Sequence, residues 1–341
     1  MYRSTESRQK ESGTKRVRVL NRLDGRYKAG ISYDAQVGFT APQRRIPCKY
    51  FYDARGSELF DEICRLPEYY PTRTELSILR AIAPSIMSDF TGGDLVELGS
   101  GDTTKIRTLL DTAESHNRDM MRYIPVDISQ SAIARACDDL LSLYPELQVL
   151  GIVADFTYQL DAIPIERPSM VCFLGGTIGN MEPDESMSFF REIARTLKPD
   201  DRVMVGFDMV KERSILETAY NDSRGVTARF NKNVLRVLNN ELEADFDERD
   251  YDHLAFFNDA ESRIEMHLVA NRDVRVNIQS IGLEIEMEKG ETIHTENSRK
   301  FTRAHVEDMA NQAGLCIQDW YSDLNEWFSL VLMRPVTATG T

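Results

Sequence analysis

From residue 94 onward, short apolar runs alternate with stretches whose apolar positions recur every three to four residues, the pattern of a parallel sheet joined by crossover helices. The runs lie at 94–99, 122–127, 147–155, 170–175 and 202–207, and the helical stretches between them at 104–116, 129–143 and 183–197. Ser129 is placed to cap the second helix, and Pro183 falls in the first turn of the third, where a missing amide costs nothing.

Past Phe207 the pattern changes. Residues 212–221 and 225–242 read as helices, and 263–270, 274–278, 283–288 and 291–295 then read as strands of a meander with no crossover helix. Alternation returns with a helix at 303–313 and strands at 316–321 and 328–333. The pattern predicts an α/β fold, a Rossmann-like domain interrupted by an inserted α+β unit. The boundaries it suggests are 75–210 and 301–341 for the sheet domain, and 21–74 and 211–300 for a substrate-binding domain or lid. Residues 1–20 read as a disordered tail, basic through Arg3, Arg8, Lys10, Lys15, Arg16 and Arg18; an arm for an acidic partner is the alternative.

Composition narrows the function. With 42% apolar and 28% charged residues the chain has an ordinary globular balance. Its net charge of −14, from 41 basic and 55 acidic residues, would repel a nucleic acid over most of the surface and leaves a small molecule as the expected partner. Five scattered cysteines show no zinc-binding spacing, so they are expected to be reduced core residues and no metal is expected. No apolar run approaches the ~20 residues of a membrane span, and no signal peptide is evident, so a cytoplasmic monomer away from membranes is the expectation.

The sharpest motif ends the first strand, where Leu95, Val96, Glu97 and Leu98 lead into Gly99, Ser100 and Gly101. Glycine permits a tight turn and a close approach of backbone to a nucleoside. A dinucleotide site would carry a third glycine at the helix start to seat the pyrophosphate; here Asp102, Thr103, Thr104 and Lys105 follow. A carboxylate is unfavourable beside pyrophosphate and compatible with a sulfonium cation, which favours S-adenosylmethionine. Asp127, ending the second strand, can accept both ribose hydroxyls. At the end of the third strand Asp155 can accept from an adenine amine, with Phe156 stacking on the base.

Three further blocks combine glycine with aromatic and polar groups: 49–57 running to 66–73, 175–180, and 295–301. Together they resemble the histidine-specific Nα-methyltransferases of ergothioneine biosynthesis, class I S-adenosylmethionine-dependent enzymes that convert L-histidine to its trimethylbetaine, hercynine. The resemblance runs from about Pro47 to Pro335. It implies a cofactor site of Gly99, Lys105, Asp127, Asp155 and Phe156, to which the glycine motif adds Ser100 and Gly101. It implies that Asn180 and Tyr220 hold the substrate carboxylate, that Tyr52 and Gly175 lie beside the reacting amine, and that Glu296 and Ser298 bind the imidazole, with Tyr69 nearby and Met266 lining the pocket. Glu296 can accept an imidazole N–H, which an apolar substrate side chain cannot supply. His267 is the one departure noted from the family pattern.

The chemistry implied is in-line attack of the neutral amine on the sulfonium methyl, with positioning as the main catalytic contribution. Two alternatives stand beside it: methylation of another amino acid such as tryptophan or a derivative, and a non-catalytic ligand-binding relative.

Overall fold

The computed structural model describes residues 17–23 and 26–336. Its larger layer is an eight-stranded sheet built from β1 (Val17–Asn21), β3 (Gly93–Leu98), β4 (Met121–Asp127), β5 (Gln148–Val153), β6 (Ser169–Phe173), β7 (Arg202–Asp208), β13 (Leu315–Ser322) and β14 (Phe328–Pro335). The order is β1-β5-β4-β3-β6-β7-β14-β13. The first six strands run parallel, β14 runs antiparallel to β7, and β13 runs antiparallel to β14.

Every residue of β3 and β6 is buried, as expected of strands covered on both faces. Alternate strand positions serve the two faces. Leu95, Tyr123 and Met170 pack with α3 (Tyr70–Asp89), α4 (Thr104–Thr112) and α6 (Gln130–Leu143). Val96, Ile124 and Val171 pack with α7 (Pro183–Thr196) and α10 (Arg303–Ala313). Local chemistry sets these helix starts: Ser129 accepts from Ala132 N–H, Thr302 from His305 N–H, and Glu182 and Glu185 form a capping box across Pro183. Strand order reverses between β3 and β6, and a sheet of this kind binds its ligand outside the carboxyl ends of the strands at that point.

A second core lies beside this sheet. The four-stranded sheet β2-β12-β9-β8 combines β2 (Arg44–Arg45), β8 (Tyr251–Asn258), β9 (Arg263–Ala270) and β12 (Thr292–Arg299), while β10 (Val274–Ile278) and β11 (Leu283–Met287) form a separate hairpin. Phe51, Phe230, Leu238, Ile264, Met266, Leu268 and Ile293 fill its interior, under α1 (Arg26–Thr40), α2 (Ala54–Cys64), α8 (Arg213–Tyr220) and α9 (Val226–Leu242).

Several expectations are corrected. The end of the presumed tail is strand β1, paired in parallel with β5; most of the basic stretch, 1–16, lies outside the described residues. The helix expected over 104–116 stops at Thr112, because Ala113 is extended, and a short α5 (Ser115–Asp119) follows. The meander is not formed, since β9 pairs with β8 and β12 and leaves β10–β11 as its own hairpin. Strand β8 and helix α1 were not expected. Among the described residues no helix is long and apolar enough to cross a membrane.

Candidate active site

The turn after β3 carries the sequence signature in the required conformation: Gly99 has φ +73° and Gly101 φ +25°, a region that favours glycine. Asp127, at the end of neighbouring β4, faces this turn, its carboxylate accepting Gly101 N–H at 3.4 Å and Ser129 N–H at 2.8 Å. Burial raises its pKa, against the pull of those amides. The Ser100 hydroxyl is buried without a hydrogen-bond partner, an atom a ligand in the turn can satisfy. Phe156 packs on Phe173 and Phe189, and one ring carbon lies 3.9 Å from where a Gly99 Cβ would stand. Asp155 holds Thr157 with one carboxylate oxygen and stands 3.7 Å from Lys49 Nζ with the other. A cradle of glycine backbone, one buried carboxylate, an unpartnered hydroxyl and an aromatic wall suits an adenosyl ligand.

Lys105, in the first turn of α4, leads from this end to the next. Its ammonium lies 2.6 Å from Glu75 Oε2, whose partner oxygen accepts Gly175 N–H at 2.7 Å. Glu75 is fully buried; Gly206 makes room for it, since a Cβ there would stand 2.4 Å from the carboxylate. Burial opposes the Lys105 charge, yet Glu75 holds its pKa above the usual value. Gly175 and Gly176, with φ +87° and +69°, turn the chain out of β6 into the short helix Thr177–Asn180.

Gly175 and Asn180 line a cavity together with Tyr52, Tyr69, Tyr220, Glu296 and Ser298, so seven predicted residues from five segments meet there. Phe60, Pro71, Gly176, Thr177 and Asp208 complete the lining. Met266 is buried beside it: it pairs with Glu296 across β9 and β12 on the same sheet face, without being a lining residue.

Glu296 owes its direction to a β-bulge. His294 pairs with His267 and Glu296 with Met266, leaving Thr295 as the extra residue. Side chains two apart on a regular strand share a face; the bulge sends His294 outward and Glu296 into the cavity. Thr295 locks it, donating from its hydroxyl to Asn231 Oδ1 at 2.6 Å, with Met266 O 3.0 Å away. Burial pushes the Glu296 carboxyl up to about 8, against the pull of Lys300 and of an Asn180 hydrogen bond. Asn180 is brought there by Gly179, where a Cβ would stand 2.8 Å from Arg299 O. Tyr52 follows from Asp53, which caps α2 and accepts from Asn233 at 2.8 Å. Its pKa is raised well above the usual value by burial first, then by Glu296 and, more weakly, Asp127.

Beneath the cavity lies a charged cluster that the sequence reading passed over. Lys300 is buried and bonds Asp208 at 2.7 Å, Ser298 Oγ at 2.8 Å and Tyr220 Oη at 3.2 Å. Lys211 and the Tyr70 hydroxyl also donate to Asp208, at 2.5 and 2.7 Å. Burial works against the Asp208 charge, and the two lysines nevertheless hold its pKa below the usual range. Lys300 lies within the block 295–301, but its partners Asp208 and Tyr220 are about 80 residues or more away in sequence and only the fold brings them together.

His267 lies on the outer sheet face, its ring 4.6 Å from that of His294. Among the described residues Glu265, His267 and His294 bring potential ligand atoms within 4.8 Å of one another. Glu265 is already engaged by Arg263 Nε at 2.9 Å and Asn258 Nδ2 at 2.9 Å.

A family model described as histidine-specific, S-adenosylmethionine-dependent methyltransferase matches residues 31–335. The chain belongs to that family. A histidine N-alpha-methyltransferase of Mycolicibacterium smegmatis is 42% identical over 299 residues, covering 88% of this chain and 93% of that protein. One of Mycobacterium tuberculosis is 40% identical over 319 residues, covering 93% and 99%. Ergothioneine biosynthesis protein 1 of Schizosaccharomyces pombe is 31% identical over 245 residues, covering 68% of this chain and 31% of that protein.

Proposed function

We propose that this chain transfers three methyl groups in turn from S-adenosylmethionine to the α-amine of L-histidine, forming hercynine, the first step of a route to ergothioneine. The observation that carries the reading is the convergence of Glu296, Ser298, Tyr220, Asn180, Tyr52 and Gly175 on one cavity.

In this reading Tyr220 and Asn180 hold the substrate carboxylate, and Glu296 and Ser298 the imidazole. The amine is thereby directed to Gly175 and Tyr52, on the side where Lys105 and the cofactor turn lie. Bound S-adenosylmethionine supplies an electrophilic methyl carbon, so the protein's contribution is alignment and exclusion of water. Tyr52 is kept as a neutral phenol by burial; its oxygen accepts a hydrogen bond from the amine, while the proton leaves to solvent. Trimethylation ends in a quaternary ammonium with no N–H left to donate. The aromatic wall of Tyr52, Phe60 and Tyr69, with ring centroids 5.6 and 6.3 Å apart, offers that cation π-faces.

Calorimetric titration of L-histidine into the enzyme with S-adenosylhomocysteine tests the assignment. E296A is expected to weaken binding by about 2 kcal/mol, the usual value of a hydrogen bond to a charged group. Unchanged affinity would remove Glu296 from the ring site.

A further inference from the structure

A serine or tyrosine hydroxyl can donate one hydrogen bond and also accept, so two hydroxyls facing a ligand can read either donors or acceptors on it. Tyr220 and Ser298 do not have that freedom. Lys300, an ammonium with three N–H groups and no capacity to accept, spends them on Asp208 Oδ2, Ser298 Oγ and Tyr220 Oη. The Tyr220 hydroxyl donates to Ser298 Oγ at 2.7 Å. Ser298 Oγ therefore accepts twice, and its own proton goes into the cavity that it lines with Glu296. When a substrate carboxylate takes the Tyr220 proton, the lysine still fills one of the two acceptor positions on each oxygen, which biases the Ser298 proton toward the cavity. Asp208 cannot relieve the arrangement, because Lys211 and Tyr70 also hold its carboxylate.

We propose that Lys300 is a specificity-determining positioning residue: by donating to both Tyr220 and Ser298, it makes their hydroxyls donors toward the substrate. The inference rests on the histidine reading above. The ring site then pairs one acceptor, Glu296, with one donor, Ser298. That pair fits a neutral imidazole, which offers one N–H and one bare nitrogen. A ring without the bare nitrogen strands the Ser298 proton in a buried site, where an unmet donor is costly. Without the lysine, that proton can turn back to Tyr220 Oη, and the cost disappears.

The test compares L-histidine with the two β-pyrrolyl-L-alanines, which keep one ring N–H and replace the other nitrogen by carbon. Each is titrated calorimetrically into the full chain with S-adenosylhomocysteine. The wild type is expected to prefer histidine by about tenfold or more over the better pyrrole. K300M is expected to cut that preference below about threefold while S-adenosylhomocysteine affinity stays the same. General damage would weaken all the ligands together and leave their ratio intact. Should K300M not fold, K300Q keeps a polar partner for Asp208 and is expected to lower the preference in the same way. A wild type without the preference, or a preference that survives in the folded lysine variant but vanishes in S298A, overturns the inference alone. A preference that survives in S298A as well refutes the ring site itself.

Discussion

The Lys105 ammonium stands 2.6 Å from Glu75, and the same carboxylate accepts the Gly175 N–H at 2.7 Å. One fully buried acid thus ties the helix that follows the glycine turn after β3 to the backbone that lines the cavity. Loss of the lysine strands that charge. K105M is expected to destabilise the protein by about 3–5 kcal/mol, the usual cost of breaking a buried ion pair from one side. Adding E75Q, whose amide oxygen can still accept from Gly175, is expected to restore part of the loss. Chemical denaturation of the single and double variants checks this; a double variant no more stable than K105M would show that the pair does not act as described.

Gly179 lets two backbones touch. With a Cβ there 2.8 Å from Arg299 O and 3.1 Å from Arg299 N, G179A must separate the 177–180 helix from β12 and draw Asn180 away from Glu296. We expect histidine KM to rise about tenfold or more, since displacements near 1 Å at a positioned site can cost far more than that. S-adenosylhomocysteine affinity, measured by calorimetry, should stay within about threefold, because Gly179 packs on Arg299 and not on the glycine turn after β3. Equal losses at both ends would place the glycine's role elsewhere.

The Glu296 carboxyl, pushed up to about 8 by burial, is mostly protonated at pH 7 in the empty cavity. An imidazole N–H stabilises the carboxylate form, so binding lowers this pKa and expels a proton. Histidine titrations in buffers of different ionisation enthalpy should report release of up to about one proton near pH 7. Release should diminish as the pH rises past 8, where the free carboxyl is already ionised. In E296Q this contribution disappears. Equal release by the wild type and E296Q would contradict the account.

Asp127 already accepts the Gly101 amide, and its remaining acceptor capacity faces the turn that a ribose would occupy. D127A should reduce S-adenosylhomocysteine affinity by about 2–3 kcal/mol, the value of hydrogen bonds to a charged group. Circular dichroism should remain that of a folded protein. Undiminished affinity would move the ribose site.

The parallel sheet was readable because buried strands such as Ser169–Phe173 are near-continuous apolar runs, and the strand Gly93–Leu98 runs into a glycine turn. Strand Val17–Asn21 was not, because it lies on the sheet edge with exposed residues among basic ones. Pairing was also beyond the pattern: nothing in alternating polarity says that β9 joins β12 and not β10, or that Thr295 bulges so that Glu296 turns inward. Seven of the twelve residues that line the cavity were named through family resemblance, and Met266, expected among them, is not one of the twelve. Lys300, Asp208, Lys211 and Glu75 were not anticipated, because a lone charged residue reads as solvated until the fold shows its counter-charge.

The most direct test is the mass of the product formed from L-histidine and excess S-adenosylmethionine by this protein alone. The account predicts histidine carrying three added methyl groups on the α-nitrogen, with mono- and dimethyl species only as intermediates. Unmodified histidine after complete reaction time, from protein that binds the cofactor, would contradict it.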